Sequence, residues 1–269
     1  MVNRCTVAER DGGKNTLGKG GTTMFWADRT NKVAGVTLLL LVALVIVNTV
    51  LVTAAVGDAD PLKRGDIEGM LRDINDNEAL YFLGIAFSIA TDAVVLLAAA
   101  AMLYLVLRDR SRVLAMLGFA GLLASGIAFL AADTASLTVG VLAADFVEKG
   151  GAGGIAAGDP VILQSARAVA ALQGLADSIG NTALGFGLLA LGSLLAWAPA
   201  GEVNPPRWLG GLAILSGLAM LLSWVAAANE DVGIVIVSIG IIGTLLLLVI
   251  LGGWLLIQPE RGEARPAAA

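Results

Sequence analysis

Between Val33 and Ile257 the chain alternates long apolar runs with short polar breaks. A hydrocarbon core of roughly 30 Å takes about 20 apolar residues of helix to cross, and six runs meet or approach that length: roughly residues 33–56, 80–107, 113–141, 168–198, 208–228 and 232–257. No run shows the ten-residue alternation of a membrane β-strand, and a backbone in lipid must satisfy its own hydrogen bonds, so each run is predicted to be helical. The expected fold is all-α: a polytopic transmembrane helix bundle of about six spans, occupying residues 32–258. The flanking residues 1–31 and 259–269 are expected to be polar tails, the first of them mobile.

One break carries a different periodicity. Ile67, Met70, Leu71 and Ile74 recur at i, i+3, i+4 and i+7 among Asp66, Glu68, Arg72 and Asp73, which places the apolar side chains on one face of a short helix. That helix is expected to lie flat on the bundle's outer surface, as a tether or a lid. The other long outer break, Gly150 to Pro160, is rich in Gly and Ala and reads as a flexible loop.

Charge sets the orientation. The net charge of -5 hides a sorted distribution. Arg4, Arg10, Lys14, Lys19, Arg29 and Lys32 precede the first span, and Arg108, Arg110 and Arg112 fill the second break. Arg207 precedes the fifth span, and Arg261 and Arg265 follow the last. The intervening break from Gly57 to Ala79 is dominated by Asp and Glu. Cationic loops stay in the cytoplasm, so both termini are expected there. The basic stretch is long and the run after Val33 exceeds a signal-peptide core, so the first span is expected to be retained.

Composition agrees and narrows the chemistry. With 57% hydrophobic and 14% charged residues, and a mean hydropathy of +0.84, a water-soluble domain would lack polar surface to cover itself. The lipid bilayer is therefore an expected partner, and nothing points to nucleic acid. There is no His, which removes the usual general base and the commonest haem and zinc ligand. The lone Cys5 cannot form an internal disulfide or a CxxC pair. All lysines (Lys14, Lys19, Lys32, Lys63, Lys149) lie outside the spans, leaving no amine for a Schiff base within the bundle. Gly13 to Gly20 follows phosphate-loop spacing, but Gly20 stands where Ser or Thr should be and no strand precedes it. No cofactor, metal or catalytic group is expected.

What remains is a set of polar groups inside the spans: Asp92 near the middle of the second, Asp133 toward the outer end of the third, and Asp177 in the outer half of the fourth. A carboxylate in hydrocarbon costs about 2.5–3.5 kcal/mol on insertion scales, so such groups face the bundle interior. Ser88 lies one turn from Asp92. Gln173, Asp177 and Asn181 form an i, i+4, i+8 stripe, and Asn48 is a candidate partner on the first span. Asp133, nearest the outer surface, is placed to reach water or Arg167. The candidate substrate or proton pathway is thus Asp92, Asp177, Asp133, Asn181, Ser88 and Asn48.

The first span Val33 to Val56, the loop end Asn75-Asp76-Asn77-Glu78-Ala79-Leu80 and the entry Tyr81-Phe82-Leu83-Gly84-Ile85-Ala86 resemble bacterial integral membrane proteins of about six spans, the family catalogued as domain of unknown function 4386. The resemblance covers roughly residues 30–257. It implies a multi-pass protein of a bacterial plasma membrane and carries over no site residue. The functional expectation is a non-enzymatic binding, transport or accessory component, in its sharpest form a proton-linked carrier of a small solute built on the buried carboxyls. The alternatives are an intramembrane enzyme acting on lipid or isoprenoid substrates with Asp92, Asp133 and Asp177, and a structural subunit packed beside other membrane subunits.

Overall fold

The computed structural model describes residues 20–56, 66–149, 160–197, 205–227 and 230–258, and among these every regular element is helical. In chain order they are α1 (Gly20–Val56), α2 (Ile67–Asp76), α3 (Glu78–Ala90), a π-type turn (Thr91–Val95), α4 (Leu96–Leu107), α5 (Arg112–Lys149), α6 (Pro160–Trp197), α7 (Trp208–Leu221), a 3-10 segment (Leu222–Ala227) and α8 (Glu230–Ile257). The expected tails at residues 1–19 and 259–269, the phosphate-loop spacing and the Gly-rich loop at 150–159 lie outside the described residues.

Five helices are long and apolar enough to cross a membrane: Arg29–Val56, Glu78–Leu107, Arg112–Glu148, Pro160–Trp197 and Val235–Ile257. The sixth apolar helix, Trp208–Trp224, is shorter. α7 nevertheless runs on into the 3-10 segment, whose steeper rise brings the pair to about 33 Å, the thickness of a hydrocarbon core. Side chains such as Val50, Val94, Ile127, Leu172, Phe186 and Ile242 project from the spans with roughly half or more of their surface exposed. That much outward apolar surface suits lipid and not water.

Three boundaries differ from the sequence expectation. α1 begins at Gly20, so residues 20–31 are helical where a tail was expected. α5 runs on to Lys149 and α6 starts at Pro160, well beyond the apolar stretches at 113–141 and 168–198. The reason is tertiary. Phe146, Ile162 and Ala166 on these extensions are buried against Ile67, Leu71 and Ile74 of α2, and that apolar contact holds the extra turns. α2 itself forms as the periodicity predicts, with Asp66 Oδ1 accepting from the Gly69 N–H at 3.0 Å as its cap and an Arg72–Glu68 ion pair at 2.8 Å on its exposed side.

Glycines set the helix spacing. A Cβ on Gly121 of α5 would stand 2.5 Å from the Cα of Gly187 on α6. Gly185 likewise meets the Gly217 carbonyl of α7, and Gly35 of α1 meets Gly252 and Leu256 of α8. Small residues let backbones approach, which is how helices pack where no water drives them together. These contacts are intramolecular, as the glycine-rich faces of α6 and α7 suggest. They also bring the start of α1's apolar run beside the end of α8.

The two ends of the bundle differ in charge. Arg108, Arg110, Arg112 and Arg207 gather at the end where α4 gives way to α5 and α6 to α7, with Trp197 and Trp208 exposed beside them. The opposite end carries Asp66, Glu68, Asp73, Asp76, Glu78, Asp145 and Glu148. Arg110 is buried, and its Nη1 donates to the Leu194 carbonyl at 3.4 Å, near the C-terminal end of α6. Burial first, and the neighbouring Arg207 second, push its guanidinium below the ordinary arginine value.

Candidate functional site

The sequence places the polar residues along separate helices, and helix register decides whether they meet. Gly84 on α3 lies against Val52 on α1, so one turn deeper Ser88 comes level with Asn48. Gly140 on α5 lies against Tyr81 and Phe82, and Gly126 against the backbone oxygen of Asp92, so Asp133 falls between them, level with Ser88 and about a turn from Asp92. On the other face of α5, the Phe129 ring packs on Gly180 of α6, which brings Asp133 level with Asp177. Four neighbouring spans thus contribute polar side chains within about one turn of one depth, in the half of the bundle nearer its acidic end.

At that level the Asp133 carboxyl faces Ser88 and the carboxyl of Asp92. Asp177 lies within electrostatic range of both acids. Asp133 is only 8% exposed, whereas Asp92, Asp177, Ser88, Asn181 and Asn48 are half-buried. Asp133 turns inward to the second span, while Arg167 is exposed. Among the described residues no basic side chain acts on any of the three acids.

A carboxylate only accepts hydrogen bonds, so two facing carboxyls bond to one another only when one of them carries a proton. Two further acceptors at this depth are buried and lack a protein partner, Asp133 Oδ2 and Asn48 Oδ1. Buried acceptors call for a donor. Among the described residues no group of three acids or thiols is placed to hold a metal ion, so the geometry lends nothing to an enzyme with all three aspartates on one metal.

Both departures from α-helix in the spans flank this level. The π-type turn holds Asp92 itself: the Leu96 N–H reaches five residues back to the Thr91 oxygen, and Thr91 Oγ1 donates to the Phe87 oxygen at 2.7 Å. On the far side, the 3-10 segment carries Trp224, whose indole Nε1 donates to Thr182 Oγ1 beside Asn181. Irregular turns of this kind recur at functional sites because they loosen one register and re-aim a side chain. Sequence reasoning missed both turns, and it missed Tyr81, whose hydroxyl donates to the Ser136 oxygen at 3.0 Å one turn from Asp133 toward the acidic end. A tyrosine inside an apolar run was the available signal for that bond, since its hydroxyl needs a partner when buried.

The long outward-facing apolar helices, the small-residue contacts and the polar groups turned inward define a polytopic helical membrane protein, lodged in a lipid bilayer. The family model described as Domain of unknown function (DUF4386) matches residues 33–258, and the chain belongs to that family. Comparison with curated proteins and with solved structures finds no match.

Proposed function

We propose that this protein is a proton-linked membrane carrier of a small solute, with the Asp92–Asp133 pair as its proton-holding element and Asp177, Asn181, Ser88 and Asn48 lining the same polar level. The observation that carries the reading is the meeting of the Asp92 and Asp133 carboxyls, which bond to one another only when one of them carries a proton. That bond exists only while one proton is shared, so anything that parts the acids, or supplies a cationic donor in the proton's place, releases it. The π-type turn at Thr91–Val95 gives Asp92 a backbone that can change register, and the unpartnered oxygens of Asp133 and Asn48 offer acceptors to a solute.

The proposal places the arginine-rich end in the cytoplasm of a bacterial plasma membrane, with both termini on that side and the acidic end outside. A field of acidic groups at the outer mouth favours the approach of cations over anions.

The test is proton movement in proteoliposomes carrying a trapped pH dye. Inward gradients of amines, amino acids, sugars and monovalent cations are applied in turn. At least one class should shift the dye, and Asp92→Asn should abolish the shift while the variant melts like the parent. Folded parent protein that answers to none of the classes, or an undiminished response in Asp92→Asn, sinks the reading.

A further inference from the structure

We infer that α2 is a hinged lid that closes the polar level from the acidic end of the bundle. Ile67, Leu71 and Ile74 of α2 are buried in a cluster with Val56, Tyr81, Ile85, Val139, Ala143, Phe146, Ile162 and Ala166. Each bundle residue of that cluster lies outward, on its own helix, of the polar residue that helix contributes: Val56 of Asn48, Ile85 of Ser88, Val139 of Asp133, and Ala166 of Asp177. The cluster is therefore an apolar plug between the acids and the outer end, with α2 as its outermost layer.

The way α2 is held separates it from the helices beneath. Among the described residues, its hydrogen bonds and ion pair all stay between Asp66 and Asn77: Gly69 N–H to Asp66 Oδ1, Arg72 to Glu68, and both the Asn77 backbone N–H and Nδ2 to the Asp73 oxygen. Only its apolar face grips the bundle. α3, by contrast, is bonded across to α5 through Tyr81 and Ser136. Asn77, with φ -120° and ψ 32°, interrupts the helix between the two and forms a one-residue joint. A helix that carries its own cap and ion pair, held to the spans through apolar contacts and joined to α3 through one residue, can lift as a unit without breaking a hydrogen bond to the spans. Glu68, Arg72, Asp73 and Asp76 on its exposed side keep it soluble when it does so.

The inference concerns access and stands apart from the transport reading, so its test reads labelling and not flux. In a Cys5→Ser background, a thiol is placed at the polar level by Ser88→Cys, or on the exposed outer part of α5 by Glu148→Cys. A membrane-impermeant maleimide is then applied from the acidic side. The Glu148→Cys thiol should label freely and the Ser88→Cys thiol slowly. Adding Leu71→Ala should raise the Ser88→Cys rate about tenfold or more, because a buried leucine removed from the lid's grip shifts it toward the open form, and should leave the Glu148→Cys rate unchanged. If Leu71→Ala fails to fold, Ile74→Val serves with the same expected direction. Equal Ser88→Cys rates with and without the lid substitution in folded protein overturn the proposal, as does amide hydrogen exchange in α2 as slow as in α3.

Discussion

Asp92 and Asp133, on the second and third spans, turn their carboxyls toward one another inside the bundle, where among the described residues no basic side chain compensates either acid. A hydrogen bond between them ties the π-type turn to α5 and needs one proton. An asparagine at either position can donate and accept without that proton, whereas an alanine leaves the partner carboxyl alone. Asp133→Asn should therefore cost less than about 1 kcal/mol, and Asp133→Ala about 1–3 kcal/mol, the usual range for orphaning a buried polar group. Thermal unfolding in detergent micelles, followed by circular dichroism, measures the difference. Equal losses for the two substitutions would show that the carboxyls do not pair.

How much of this arrangement can be read from the sequence follows from what each feature depends on. Span existence depends on local apolar length, so the six runs are legible, and so is the face of α2 that carries Ile67, Leu71 and Ile74. Asp92 stands out because nothing polar but Ser88 and Thr91 surrounds it. That Asp133 meets Asp92 depends on how α5 slides against the second span, which is set where Gly126 and Gly140 admit the Asp92 backbone and the Tyr81 and Phe82 rings. Hydropathy carries no register. The π-type turn has no Gly or Pro to announce it, and α5 and α6 outlast their apolar stretches only because α2 covers Phe146 and Ile162.

Gly121 and Gly187 provide a packing test with a built-in control. A methyl group on Gly121 would meet backbone atoms of Gly187 at 2.5 and 2.6 Å, and backbone cannot step aside as a side-chain tip does. Gly121→Ala should destabilise by about 1–3 kcal/mol through overpacking. Gly174 of α6 has nothing within 4 Å of its added Cβ. Gly174→Ala should then be neutral, or stabilise by up to about 1 kcal/mol through helix propensity. Melting temperatures of the two variants in one detergent decide it, and similar losses in both would contradict the close approach of α5 and α6.

Arg110 and Arg207 are predicted to act in opposite directions. Arg110 reaches the Leu194 oxygen from a buried position, so Arg110→Met, which keeps much of the stem and loses the donors, should cost about 1–3 kcal/mol. Arg207 is exposed and disfavours the charge on Arg110. Arg207→Gln should change stability by no more than about 0.5 kcal/mol, and toward greater stability, with the gain shrinking as salt is added. Unfolding curves at low and high salt check both signs. A larger loss from Arg207→Gln than from Arg110→Met would mean that the buried guanidinium is not what secures the end of α6.

Orientation in the membrane is the prediction on which the outer lid and the inward proton path both rely. The exposed Asp109 sits among Arg108, Arg110 and Arg112, whereas Asp73 and Glu148 sit at the acidic end. Cationic loops resist translocation, so the first group should remain cytoplasmic and the second should face outward. With Cys5→Ser as background, single thiols at Asp109→Cys, Asp73→Cys and Glu148→Cys can be challenged in intact cells with an impermeant maleimide. Label should appear at Asp73→Cys and Glu148→Cys within minutes, and at Asp109→Cys only after the cells are opened. The reverse pattern would turn the bundle over, putting α2 on the cytoplasmic side, and the positive charge at the α4–α5 and α6–α7 connections would then need another explanation. Label at all three sites in intact cells would mean that the helices between them do not separate two compartments, which neither the length of the apolar runs nor their outward-facing side chains allows.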